Sequence, residues 1–163
     1  STDMKRRVYI ITLMLVFGTL FCNAQQSFFD RYAEWRDIKT VYISKRMLKM
    51  VKSYDGEVKV NGMRLGIMNE GLENIQIFNC EVKPAIEKLR EETRELVPAN
   101  GYEEVISIRD EGEKVSILFK ELKENLSEFV LITDRPNEFN IISIVGKITL
   151  QDIQNMMDEK KQE

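Results

Sequence analysis

Residues 129–145 read FVLITDRPNEFNIISIV, and this stretch decides the fold. Phe129 to Ile132 and Phe139 to Val145 are apolar on both faces of an extended chain, the pattern of strands covered from both sides. Between them, Asp134-Arg135-Pro136-Asn137 has turn chemistry, because proline fixes φ while Asp and Asn bond back to the local backbone. Upstream the period is two: Tyr102, Glu104, Ile106 and Ile108 alternate with Glu103, Val105, Ser107 and Arg109. After the turn Asp110-Glu111-Gly112, Val115, Ile117 and Phe119 alternate with Lys114, Ser116 and Lys120, which completes a hairpin. Four strands in succession make a C-terminal meander. Thr149 with Asp152 then caps a final helix carrying Leu150, Ile153 and Met157, and residues 158–163 form a charged tail.

Toward the N-terminus the elements alternate. Pro84 suits the first turn of a helix whose apolar stripe is Ile86, Leu89, Leu96 and Val97, ending before Pro98 and Gly101. Its other face, Glu87, Lys88, Arg90, Glu91, Glu92, Arg94 and Glu95, reads as a solvated ion-pair surface. Asn74 to Phe78 and Thr40 to Ile43 read as strands, and Ser44 is placed to cap a helix reaching about Tyr54. Ser27 and Asp30 resemble a capping box before Phe28, Phe29, Tyr32 and Trp35, an aromatic face that docks on a sheet. Residues 55–72 hold four of the chain's eight glycines and read as a loose hairpin or flexible loop. The pattern predicts an α+β domain, a mainly antiparallel sheet with helices packed on one face.

The first 24 residues read differently. Lys5, Arg6 and Arg7 precede the apolar run Val8 to Phe21, whose 14 residues fall short of the roughly 20 a spanning helix needs. That is an export signal beginning at Met4, with Ser1-Thr2-Asp3 set aside. Small residues before a cut between Ala24 and Gln25 favour ordinary cleavage. Phe21 spoils the small position that lipidation at Cys22 requires, so a periplasmic or secreted product is expected. Removing residues 1–24 leaves 139 of 163 residues, enough for a single core, and moves the net charge from −3 to −5. An acidic chain is a poor partner for a phosphate backbone, so nucleic acid is not expected. Cys80 is then the sole thiol. It follows Ile75-Gln76-Ile77-Phe78 and reads as a small buried hydrophobe rather than a reactive free thiol.

Several segments together are familiar. They are Phe29-Asp30-Arg31-Tyr32, Val41-Tyr42-Ile43-Ser44-Lys45 with Met47-Leu48, Cys80-Glu81 and Tyr102-Glu103-Glu104. The most specific run is Val130-Leu131-Ile132, Asp134, Pro136, Glu138-Phe139, Ile142-Ser143, Gly146, Ile148 and Asp152-Ile153. The chain resembles an exported family of Bacteroides-group bacteria, domain of unknown function 4252, over most of residues 28–155, with 55–72 matching poorly. The resemblance implies an envelope location and offers no established activity.

The chain has no histidine, which removes the usual general base, the Ser-His-Asp nucleophile and most zinc or copper sites. No cofactor is expected. Ser44-Lys45 is an adjacency rather than a dyad, since neighbouring helical residues point about 100° apart. Lys45, Arg46, Lys49 and Lys52 fall on one arc of the helix from Ser44, opposite Met47, Met50, Val51 and Tyr54. The leading expectation is a non-enzymatic envelope module for a protein or peptide partner, using a sheet edge and residues 55–72. Contact with anionic lipid through Lys45, Arg46, Lys49 and Lys52 is the second, and a carboxylate-dependent hydrolase the third.

Overall fold

The covered hairpin lies at the centre of a six-stranded sheet. The computed structural model describes residues 2–20, 27–52, 59–60, 63–64, 71–123, 125–149, 151–152 and 154. In chain order these form α1 (Thr2–Leu20), a 3-10 helix (Phe28–Glu34), β1 (Ile38–Ser44), α2 (Lys45–Lys52), β2 (Lys59–Val60) and β3 (Met63–Arg64). There follow β4 (Leu72–Cys80), α3 (Lys83–Ala99), β5 (Glu103–Asp110), β6 (Glu113–Lys123), β7 (Leu126–Arg135) and β8 (Glu138–Gly146). The large sheet is ordered β1-β4-β8-β7-β6-β5, with every pair antiparallel, while β2 and β3 pair separately. The fold is therefore α+β, and β5 to β8 form the expected C-terminal meander.

Register explains why β7 and β8 need apolar residues on both faces. One cross-strand row joins Ile77, Ile142, Leu131 and Ile117; the adjacent row, on the other face, joins Phe78, Ile141 and Ile132. The Phe78 face is covered by the 3-10 helix through Phe28, Phe29 and Tyr32, and by α3 through Ile86, Leu89 and Val97. Phe29 and Tyr32 are fully buried and meet their neighbours edge-on, Phe29 to Tyr102 at 5.3 Å and Tyr32 to Trp35 at 5.0 Å. Each such ring contributes about 2–3 kcal/mol by burial. On the opposite face Leu48 of α2 packs against the cluster that includes Ile75, Ile117, Ile144 and Ile148.

Two turns follow from backbone chemistry. Glu111 at φ 43° and Gly112 at φ 84° give β5–β6 a two-residue turn with both φ positive, matching the twist of the strands. At the other end of the sheet, Gly71 and Gly146 touch backbone to backbone. A Cβ on Gly146 would collide with the Gly71 carbonyl oxygen and lie 2.9 Å from Leu72 Cα.

Some expectations shift. The aromatic helix is 3-10 rather than α, and Ser27 caps it by accepting from the Phe29 N–H at 3.2 Å. Of residues 55–72, Lys59–Val60 and Met63–Arg64 pair as a hairpin, Leu72 already belongs to β4, and residues 55–58, 61–62 and 65–70 lie outside the described residues. Helix α3 continues through Pro98 to Ala99, because a proline so near the end leaves few backbone bonds to lose. Alternation in β5 breaks at a bulge between Glu104 and Ile106. The solvated face of α3 is partly tertiary: Arg90 Nε donates to Asp134 at 2.8 Å, and Glu92 accepts from Tyr32 Oη at 2.9 Å. The Thr149–Asp152 cap is present, with Thr149 N–H donating to Asp152 Oδ2 at 2.8 Å. Residues 21–26, with Cys22, Ala24 and Gln25, and the tail from 155 lie outside the described residues. Among the described residues no helix is long and apolar enough to cross a membrane.

Candidate functional site

Strand β1 ends the sheet on one side and β5 on the other, and the two edges are built differently. β5 carries Glu103, Glu104, Arg109 and Asp110 together with its bulge, devices that discourage another strand from pairing. β1 has one charged residue, Lys39, no proline, and an unbroken register on β4 from Ile38↔Cys80 to Ser44↔Asn74. Its middle residues Val41 and Tyr42 are 51% and 59% exposed. No described strand lies outside it.

Helix α2 leaves directly from this edge, its Met47 N–H capped by Ser44 Oγ at 3.2 Å. Lys45, Arg46 and Lys49 are exposed, as expected, and Lys45 Nζ pairs with Glu73 at 2.7 Å. Lys52 closes the helix, but its side chain is not described. Met47 and Met50 are 51% and 62% exposed, and Leu48 makes the contact with the core. The helix thus shows water both its cations and two thioethers, adjoining the exposed Val41–Tyr42 edge.

Behind the edge lies a polar cluster that sequence reasoning missed. Glu128 on β7 is fully buried. Its carboxylate accepts from Ser27 Oγ at 2.6 Å, Ser143 Oγ at 3.1 Å and Tyr102 Oη at 2.9 Å, while Tyr102 Oη accepts the Phe28 N–H at 3.2 Å. Among the described residues no cation pairs with it. Lys120 sits directly opposite on β6 but places its ammonium over the Tyr102 ring, 5.0 Å from the centroid. Burial raises the Glu128 pKa against the pull of the three hydroxyls, and the Asp30 charge pushes the same way as burial. Burial likewise raises Tyr102, helped by the Glu128 charge. Chemically the cluster is a pin: it fastens the start of the 3-10 helix, the residue before β5, and strands β7 and β8 to one another. Ser27 spends its hydrogen on Glu128 and a lone pair on its own helix cap, so it is occupied as a structural group.

A cleft of about 290 Å³ opens between this pin and the edge, lined among others by Ser27, Asp30, Tyr42, Gln76, Lys123 and Val145. Tyr42, Gln76, Ser143 and Val130 form one cross-strand row beneath it, and the Gln76 side-chain oxygen is buried there without a hydrogen-bond partner among the described residues. Glu128 is not among the lining residues, but its partner Ser27 is. Cys80 is 1% exposed, a core residue on the α3 side of the sheet, as its apolar setting predicts. Among the described residues no three Cys, Asp or Glu side chains are grouped to hold a metal ion. The signal for Glu128 was its spacing: Glu128, Val130 and Ile132 alternate into the same covered face.

Comparison with known proteins adds one match. The model of a family described as domain of unknown function (DUF4252) matches residues 32–156, from the 3-10 helix to beyond the Thr149 cap. No curated protein and no solved structure matches.

Proposed function

This chain belongs to the DUF4252 family, whose description names no activity, and from that premise we propose that it is a binding module of the cell envelope that takes an extended segment of a protein partner along the edge of β1. The observation that carries the reading is the contrast between the two edges. β5 is bulged and charged, whereas β1 offers seven residues in unbroken register with Val41 and Tyr42 in solvent. A bare edge is a template for strand addition, in which backbone bonds give affinity and alternate side chains give selectivity. The segment that fits carries apolar residues at two adjacent positions, one on each face, to lie beside Val41 and Tyr42, and is acidic where it passes Arg46 and Lys49 of α2. The module works by binding rather than turnover: the chain has no histidine, and its buried carboxylate is committed to holding the fold. The export signal read in residues 4–24 supports an envelope location.

The test is a selection of extended peptides on the immobilised protein, with counter-selection on a Val41→Lys/Tyr42→Lys variant. Both residues are more than half exposed, so the variant keeps its fold. Peptides that bind the native protein at least tenfold better, with an adjacent pair of apolar residues, are expected. A set that binds both proteins equally places recognition elsewhere and refutes the proposal.

A further inference from the structure

The clefts and strand ends gather cations at one end of the sheet, and we infer that this end rests on an anionic lipid surface. Three separate segments bring them there, beside the start of β4. Lys45 reaches Glu73 near the start of β4, and Arg46 and Lys49 follow on α2. Lys147, just past β8, bonds its N–H to the Gly71 carbonyl at 2.8 Å beside that same strand start. Lys123 ends β6 and lines one cleft with Tyr42 and Glu73 and another with Lys147. From β1 to β6 is four strand spacings, about 19 Å, so the cations spread over a patch wide enough to meet a plane rather than a point charge.

Arg46, Lys49, Lys123 and Lys147 make no ion pair among the described residues. Asp30, Glu73, Glu121 and Asp152 share this end and reduce its charge, against Lys45, Arg46, Lys49, Lys123 and Lys147. The far end differs. There Asp110, Glu111, Glu113, Asp134 and Glu138 crowd the two turns beside Arg109 and Lys114, with Arg90 paired to Asp134 and Arg135 tied to both Glu113 and Glu138. In an acidic protein the basic end is where a negative surface is met.

One further observation selects a bilayer over a soluble polyanion. Met47 and Met50 stand exposed among these cations, apolar groups that a dissolved polymer does not bury but an interface does. The inference is independent of strand addition on β1, which runs along the side of the sheet rather than across its end.

The experiment compares two triple charge reversals of the full chain that change net charge equally. The near-end variant is Arg46→Glu/Lys49→Glu/Lys147→Glu, and the far-end variant Lys83→Glu/Arg109→Glu/Lys114→Glu. Sedimentation with vesicles of phosphatidylglycerol and phosphatidylcholine is read against pure phosphatidylcholine, which reports whatever the leader helix contributes. A lysine beside an anionic surface is worth roughly fivefold in partitioning, so the near-end variant is expected to lose on the order of a hundredfold and the far-end variant less than threefold. Equal losses, or none, overturn the inference. If the near-end triple fails to fold, Lys49→Glu and Lys147→Glu singly carry the same comparison at about fivefold each. Met47→Ser/Met50→Ser separates the sources: it is expected to weaken vesicle binding at least threefold and leave binding to polyphosphate in solution unchanged. Equal effects on both would assign the end to a soluble polyanion and sink the lipid reading.

Discussion

Replacing Glu128 by Gln keeps the shape of the buried side chain and removes its charge, so the difference from the native protein isolates the cost of that charge. The amide oxygen can accept from Ser27 and Ser143, both within 3.1 Å of Oε1, and Tyr102 Oη either donates to that oxygen or accepts from the new NH2. The pH dependence has a definite sign. Burial lifts the folded-state pKa of Glu128 above its ordinary value of 4.5, so the native state favours the protonated form. The associated stability is fully present below the unfolded value and is lost as pH rises through the folded one. Between those two values the native protein loses stability relative to Glu128→Gln by about 1.4 kcal/mol per pH unit. Urea midpoints of both proteins from pH 4 to 8 measure this, since other titrating groups cancel in the difference. The variant should gain on the native protein as pH rises from about 4.5 and then hold a constant lead. A flat difference, or one that turns toward the native protein, would mean that the three hydroxyls outweigh burial, and the account of the pin would be wrong. Glu128→Ala, by contrast, strands the buried Tyr102 and Ser143 hydroxyls and the half-buried Ser27 hydroxyl and opens a cavity, with an expected cost of roughly 3–5 kcal/mol at neutral pH.

Gly146→Ala forces two backbones apart where Gly71 and Gly146 touch, and a loss of about 2–3 kcal/mol is expected in thermal or urea unfolding; a change below 0.5 kcal/mol would show that the contact gives way freely. Gly112→Ala places a side chain at φ 84° in otherwise open space, so its cost should be conformational only, about 1 kcal/mol. Cys80 should resist a thiol reagent in the folded protein and react only as fast as the molecule opens, a rate that added urea increases; prompt labelling in native buffer would contradict its burial.

What could be read from the chain was whatever a short run of residues determines alone. The unbroken apolar character of Phe129–Ile132 and Phe139–Val145 requires cover on two faces, and those strands became the centre of the sheet. Asp110-Glu111-Gly112 specifies a tight turn locally, and the turn is there. The edge position of β1 is different in kind, because strand order depends on which partners a strand finds. Nothing in Thr40-Val41-Tyr42-Ile43 distinguishes an outer strand from an inner one. Glu128 was missed because a glutamate before an apolar run reads as solvent-facing, and only the inward spacing with Val130 and Ile132 marks it as buried. In α2 the two arcs of cations and methionines were legible, but both face water. The short helix meets the sheet through Leu48, which falls between them.

The central claim is that β1 is an open edge awaiting a partner strand. The most direct measurement is amide hydrogen exchange of Ile38–Ser44, first in the free protein and then with a selected peptide bound. The account predicts that amides of β1 bonded to β4 are slow throughout, while those facing outward exchange fast in the free protein and slow at least a hundredfold on binding. Outward amides that are already protected in the free protein, or protection that appears on β5 instead, would contradict it.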